Sequence, residues 1–270
     1  MAGLADYTGR TALISGASSG IGAELARQVA RRGARVALVA RRRERLDQLS
    51  REISGAGGQS SIHVCDVANR TEVEATHRAV QEKWGGVDLL INNAGSNHHA
   101  LFKDLDVGEI ERMTQTNYLG PVYWMKSVLP SMQERGRGWI INMSSLAGLI
   151  PQPDEAAYSA TKFAVAGLSE GLSYELEPLG IHVMTVYPAL VRTEMFTPEV
   201  LARMPAGAER SFVEPPEFCR QVLHALARGR FEVTVPRYVG IAYAVRALLP
   251  GFHRRMTKRI RLPKLPDLTT

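Results

Sequence analysis

The chain has 270 residues, within the size at which one α/β domain builds a full core. Its 45% hydrophobic and 22% charged residues exclude a disordered polar chain. No uncharged apolar stretch is long enough to span a bilayer, and two cysteines, Cys65 and Cys219, exclude a disulfide scaffold. The net charge of +6 is uneven: from Arg228 onward ten Lys and Arg face only Glu232 and Asp267, while the preceding chain sums to −2.

The opening "MAGLADYTGRTALISG" lacks the basic start and apolar run of a secretory signal, and with so few cysteines a cytoplasmic location is expected. Strand-like runs then recur at 10–16, 34–40, 61–67, 87–95, 139–145 and 181–189. Several are continuously apolar rather than alternating, as parallel strands covered on both faces should be. Helix signals lie between them. "GIGAELARQVARRG" ends at Gly33, and "NRTEVEATHRAVQEKWGG" opens with Asn69 three residues before Glu72, a capping-box pattern. "EPPEFCRQVLHALARG" begins with prolines suited to a first turn and ends at Gly229. This alternation predicts an α/β fold: a single Rossmann-like, doubly wound parallel sheet with helices on both faces. Residues 1–230 are expected to form that unit, with 231–270 supplying a C-terminal strand, a helix and a basic tail.

The first strand runs into "SGASSGIG", with Gly16, Gly20 and Gly22 before a helix. Glycines there permit close backbone approach, and the helix start offers free N–H groups to a phosphate; the plain alternative is a tight connection that binds nothing. Further along come "NNAG" (92–95), Asn117-Tyr118-Leu119-Gly120, "INMSSLAG" (141–148), Tyr158 thirteen residues after Ser145 with Lys162 four further on, and "YPALVRT" (187–193). In this order and on these elements, the set over about residues 8–195 resembles the short-chain dehydrogenase/reductase family. Two departures stand out. Ala189 replaces the glycine usual after the turn proline. "GRFEVTVPRYVG" replaces the Val-Asp-Gly-Gly-type ending of β-ketoacyl-carrier-protein reductases, which argues against that activity.

Tyr158 and Lys162 are four apart, hence on one helix face. A nearby ammonium is expected to lower the phenol pKa towards the working range. The resemblance implies that Tyr158 is the general acid/base, that Ser145 bonds the reacting oxygen, that Lys162 also holds the nicotinamide ribose, and that Asn117 organises a proton-resupplying water. It further implies cofactor contacts from Gly16, Ser18, Ser19, Gly20, Ile21 and Gly22, and from Asn93, Ala94 and Gly95. Pro188, Val191 and Thr193 would complete them, with Asp66 and Val67 at the adenine; Asp66 could instead serve a helix N-terminus. The second strand ends at Ala40 rather than an acid, with Arg41 and Arg42 following. Guanidinium groups suit a 2′-phosphate, so NADP(H) is expected over NAD(H), unless the arginines only face water.

Residues 193–215 are expected to form a substrate lid. Met195, Phe196, Leu201, Met204 and Phe212 give it an apolar inner face or simply pack it down. The expected substrate is a small apolar ketone or aldehyde, or the matching alcohol. His98 and His99 are adjacent with no evident carboxylate partner, so no metal is expected. The basic tail suits either peripheral contact with an anionic membrane or a solvated end, and no recognition motif supports nucleic acid. Small residues beside Tyr158 permit a homo-oligomer. The competing functions are a catalytically silent nucleotide sensor of the same fold and an NAD-dependent alcohol dehydrogenase.

Overall fold

The computed structural model describes residues 3–204 and 207–258. Among these, seven strands form one parallel sheet: β1 (Thr11–Ser15), β2 (Arg35–Ala40), β3 (Gln59–Val64), β4 (Leu89–Asn92), β5 (Gly138–Met143), β6 (Ile181–Pro188) and β7 (Glu232–Val235). Their order is β3-β2-β1-β4-β5-β6-β7. The chain winds outward from β1 to β3, returns to pair β4 with β1, and then winds the other way. The crevice at that reversal lies beyond the carboxyl ends of β1 and β4, where ligands of such sheets dock.

The continuous apolar strands follow from burial on both faces. Ala12 and Ile14 of β1 point into one cluster and Leu13 into the other; Leu38 and Val39 of β2 divide likewise. One cluster is covered by α1 (Gly20–Arg31), α2 (Arg43–Gly55) and α8 (Pro215–Ala227). The other is covered by α3 (Arg70–Trp84), α5 (Gly120–Glu134) and α6 (Ala156–Leu176). Each fully buried leucine or isoleucine contributes roughly 2 kcal/mol, so the sheet is held from both sides.

Local ends follow the chemistry of the residues there. Asn69 caps α3, accepting from the Thr71 and Glu72 amides at 3.0 and 3.3 Å, and Glu72 reaches back to the Asn69 side chain at 2.8 Å. The third strand begins and ends earlier than the 61–67 expected. Gly57, at φ +79°, turns the chain into the sheet by Gln59, and Cys65 to Val67 already belong to the turn leading into α3. β7 is parallel to β6 and is followed by α9 (Val239–Leu248) and α10 (Pro250–Thr257). The helix α4 (Val107–Thr114) joins α5 through a π turn at Gln115–Leu119, and a short helix, α7 (Pro198–Arg203), lies between β6 and α8.

Candidate active site

The turn after β1 is built for close backbone approach. Gly16 and Gly20 have φ of +68° and +54°. A Cβ on Gly22 would stand 2.3 Å from the Gly16 carbonyl oxygen. Ser19 precedes α1 in extended backbone without a side-chain cap, and the first turn of α1 carries no acidic residue. Its leading N–H groups are therefore left for an anionic group. Across the crevice, Asn93 donates to the Ser15 and Gly16 carbonyls at 3.1 and 3.3 Å. Ser15, which sequence reasoning missed, ties the two loops together by accepting from the Asn93 and Ala94 amides at 3.0 and 3.1 Å.

Of the two expected arginines, only Arg42 reaches this turn. It donates to the Ser18 hydroxyl at 3.0 Å and to the Ser19 hydroxyl at 2.6 Å. Arg41 is exposed and points to Asp66 at 3.9 Å. Asp66 accepts from the Ala68 amide at 3.0 Å in the turn before α3, whose N-cap is Asn69 and not Asp66. The partner of Arg42 is Arg45, absent from the sequence expectation. Both guanidinium groups converge on the carboxylate of Glu194, Arg42 at 3.0 Å and Arg45 in a shorter contact. Two cations already focused on one anion, beside a strand ending in alanine, fit a nucleotide phosphate. Val67 is buried against Gly120, and Thr193 abuts Gly20, where a Cβ would lie 3.0 Å from its methyl.

Asn117 lies in the π turn. Its Oδ1 accepts from the Ser96 amide at 2.8 Å, while Nδ2 donates to the Ser96 carbonyl at 2.9 Å and to Thr161 Oγ1 at 3.0 Å. Both side-chain donors are thus spent, leaving a lone pair on Oδ1 for a water. Irregular turns of this kind recur at functional sites. Ser145 caps a short turn at Leu146–Gly148 and accepts from the Ala147 amide at 3.1 Å. Gly148 must be glycine for that turn to lie flat on α6: a Cβ would meet Ser144 Oγ at 2.3 Å and the Lys162 carbonyl at 2.8 Å.

Tyr158 and Lys162 share the inward face of α6 and are 7% and 4% exposed, so desolvation governs their protonation. Burial pushes the Tyr158 phenol well above its ordinary value; a hydrogen bond with Ser145 opposes this and the charge of Glu155 adds to it. Burial also brings Lys162 down to about 8. Its Nζ donates to the Met143 carbonyl at 2.9 Å and lies 5.6 Å from the Tyr158 ring centre. The acidification expected from the lysine is opposed by burial, which is the largest influence on the phenol and raises it. The phenol stays protonated at neutral pH.

The remaining expectations resolve unevenly. Pro188 ends β6, and Val191 is buried and bridged to Val213, which stitches together the two ends of the 193–215 segment. Phe196 and Phe212 pack edge to face at 4.8 Å, so part of that segment's apolar surface is spent internally, while Met195 and Leu201 remain exposed. His98 is exposed. His99 does have carboxylate neighbours, contrary to expectation: Asp154 at 3.7 Å and Glu155 at 3.5 Å. Among the described residues no group of three or more His, Cys, Asp or Glu could hold a metal ion.

Comparison with known proteins agrees with this geometry. The family model of short chain dehydrogenases matches residues 10–203. The chain is similar to a fatty acyl-CoA reductase of Acinetobacter baylyi, 35% identical over 88% of this chain and 80% of the relative. It is also similar to a 3-ketodihydrosphingosine reductase of Bos taurus, 33% identical over 84% of this chain and 71% of the relative. A metagenomic short-chain oxidoreductase solved with NADP superposes with a TM-score of 0.74 at 31% identity, over 85% of this chain and 97% of that one. A glycine-rich turn after β1, a buried tyrosine and lysine on α6 and this breadth of match lead to one conclusion: the chain belongs to the short-chain dehydrogenase/reductase family.

Proposed function

We propose that the protein is an NADP(H)-dependent oxidoreductase that reduces an apolar, lipid-like ketone or aldehyde to its alcohol, with Tyr158 as proton donor. The carrying observation is the buried cluster itself, Ser145 hydrogen-bonded to Tyr158 with the Lys162 ammonium beneath, at the end of the crevice. A nicotinamide cofactor, held by the glycine-rich turn with Arg42 and Arg45, would supply the hydride. Tyr158, kept protonated by burial, gives its hydroxyl proton to the carbonyl oxygen as that oxygen gains charge. Ser145 donates to the same oxygen and fixes its direction. Lys162, with its pKa near 8, is still mostly charged at neutral pH and offsets the phenolate left behind. Asn117 holds a water through its remaining lone pair, which returns the proton.

Selection of NADP(H) rests on the Arg42 and Arg45 pair and on Ala40 at the strand end, where NAD enzymes of this fold place an acid. The structural neighbour solved with NADP supports it. The lipid-like substrate rests on exposed Met195 and Leu201 and on the two relatives named for fatty acyl and ketosphingoid compounds. A homo-oligomer belongs to the same reading: Ala160, Ala164, Gly167 and Gly171 line an exposed face of α6.

The test is oxidation of NADPH and of NADH against aldehydes and ketones of increasing chain length. The expected result is turnover with NADPH that rises with chain length. Tight NADPH binding without turnover on any carbonyl would assign a nucleotide sensor instead.

A further inference from the structure

The C-terminal helices present a surface that neither the sheet nor the crevice uses. Along α9 and the turn into α10, Ile241, Tyr243, Leu248 and Leu249 are exposed, Ile241 at 67% and Leu248 at 79%. On α10 the exposed apolar residues are Phe252 and Met256, one helical turn apart. A surface helix normally hides its apolar face, and a contiguous apolar patch on a water-facing surface marks an interaction site. The charge carried along this segment of the chain has one sign. From Val233 to Pro266 the sequence carries eight Lys and Arg and no Asp or Glu. Arg254, Arg255 and Lys258, which flank Phe252 and Met256, are exposed.

This surface is fastened beside the crevice. Arg246 of α9 donates to the Leu149 carbonyl at 2.6 Å, just beyond the turn that Ser145 caps. Its guanidinium stacks 5.4 Å from the ring centre of Phe163, next to Lys162. An anchor at those two points holds the apolar helix against the rim of the site.

We infer that α9 and α10 form a docking face for an anionic lipid bilayer, with the apolar side chains entering the interface and the cations on the headgroups. The combination is that of a helix lying in the plane of a membrane surface, its apolar stems buried and its basic heads at the phosphates. Among the described residues no helix is long and apolar enough to cross a membrane, so the contact is peripheral. A second copy fits this face less well, because a two-fold pair through it would set the same cations against one another. Only the purpose of the contact, drawing a lipid carbonyl from the bilayer into the crevice, rests on the proposed reaction.

The experiment is sedimentation of the full chain with phosphatidylcholine vesicles, with and without phosphatidylglycerol, at low and high salt. Binding should require phosphatidylglycerol and weaken with salt. Arg254→Gln with Arg255→Gln should lower partitioning about 25-fold, at about 5-fold for each charge lost near the surface. Leu248→Ser with Leu249→Ser should lower it about tenfold or more. Both double variants should keep the parental circular dichroism spectrum and thermal midpoint, so loss of binding is not loss of folding. Absent binding, equal binding to neutral and anionic vesicles, or parental binding in the arginine variant would overturn the inference. A dimer that the leucine variant splits, without vesicle binding, would reassign the face to a contact between copies. None of these outcomes depends on turnover of a lipid, so the docking face and the proposed reaction fail separately.

Discussion

Replacing Lys162 by methionine should stabilise the fold while removing catalysis. The ammonium is 4% exposed, its one hydrogen bond goes to the Met143 carbonyl at 2.9 Å, and burial alone holds its pKa at about 8 instead of 10.5. At about 1.4 kcal/mol for each decade of proton affinity, charging this lysine costs the folded state roughly 3 kcal/mol at neutral pH. Methionine fills a similar volume without that cost but forfeits the hydrogen bond, about 1 kcal/mol, leaving a net gain of about 2 kcal/mol. The sign with pH is specific. Below the folded value of about 8 both folded and unfolded lysine are protonated and the full cost applies; above it the folded protein sheds the proton first. Parental stability should therefore climb relative to the variant between about pH 8 and about pH 10. The Cys65 thiol, pushed upward by burial, acts in the opposite direction, but it is common to both proteins and cancels in the difference. Urea unfolding of the pair across this range is the assay. A variant less stable than the parent at neutral pH, or a gap that does not close as pH rises, would refute the reasoning.

Arg45→Ala should raise the Kd for NADPH about 10- to 100-fold, the worth of a charge-assisted hydrogen bond, with little change for NADH in a fluorescence titration. Glu194→Gln should act the other way, tightening NADPH binding about threefold to tenfold, because two exposed ion pairs no longer compete for the guanidinium groups. Glu155 is itself pushed up by burial, and its charge raises the Tyr158 phenol. Glu155→Gln should move the ascending limb of alcohol oxidation, where Tyr158 must lose its proton to act as base, to lower pH, by about one unit at most, in a kcat profile.

Much of this molecule was legible because its chemistry is local in sequence. The strands at 34–40 and 181–189 read as continuous apolar runs, and the structure gives the reason: successive residues enter two different clusters, both dry. The third strand was misplaced at its ends because Cys65 and Val67 are as apolar as strand residues, yet are buried in the turn after it. Gly16, Gly20, Gly22, Tyr158 and Lys162 were singled out because their motifs, taken together and in order, resemble the short-chain dehydrogenase/reductase family. What spacing could not carry is contact across the fold. Ser15 meets the Asn93 and Ala94 amides across 78 and 79 positions, and Arg45 meets Glu194 across 149. Nothing near any of these residues in the chain announces its partner. The protonation of Tyr158 was misjudged for a related reason. A shared helix face shows that a cation is near, whereas the larger effect, removal of water from both groups, depends on everything packed around them.

The central claim is that Tyr158 passes its proton to a carbonyl oxygen while the cofactor site stands independently of it. Tyr158→Phe removes one oxygen and leaves the ring and its packing in place. With a long-chain aldehyde and NADPH, single-turnover oxidation of the nicotinamide should slow about 100-fold or more, with NADPH affinity unchanged. Parental rates in this variant would contradict the account.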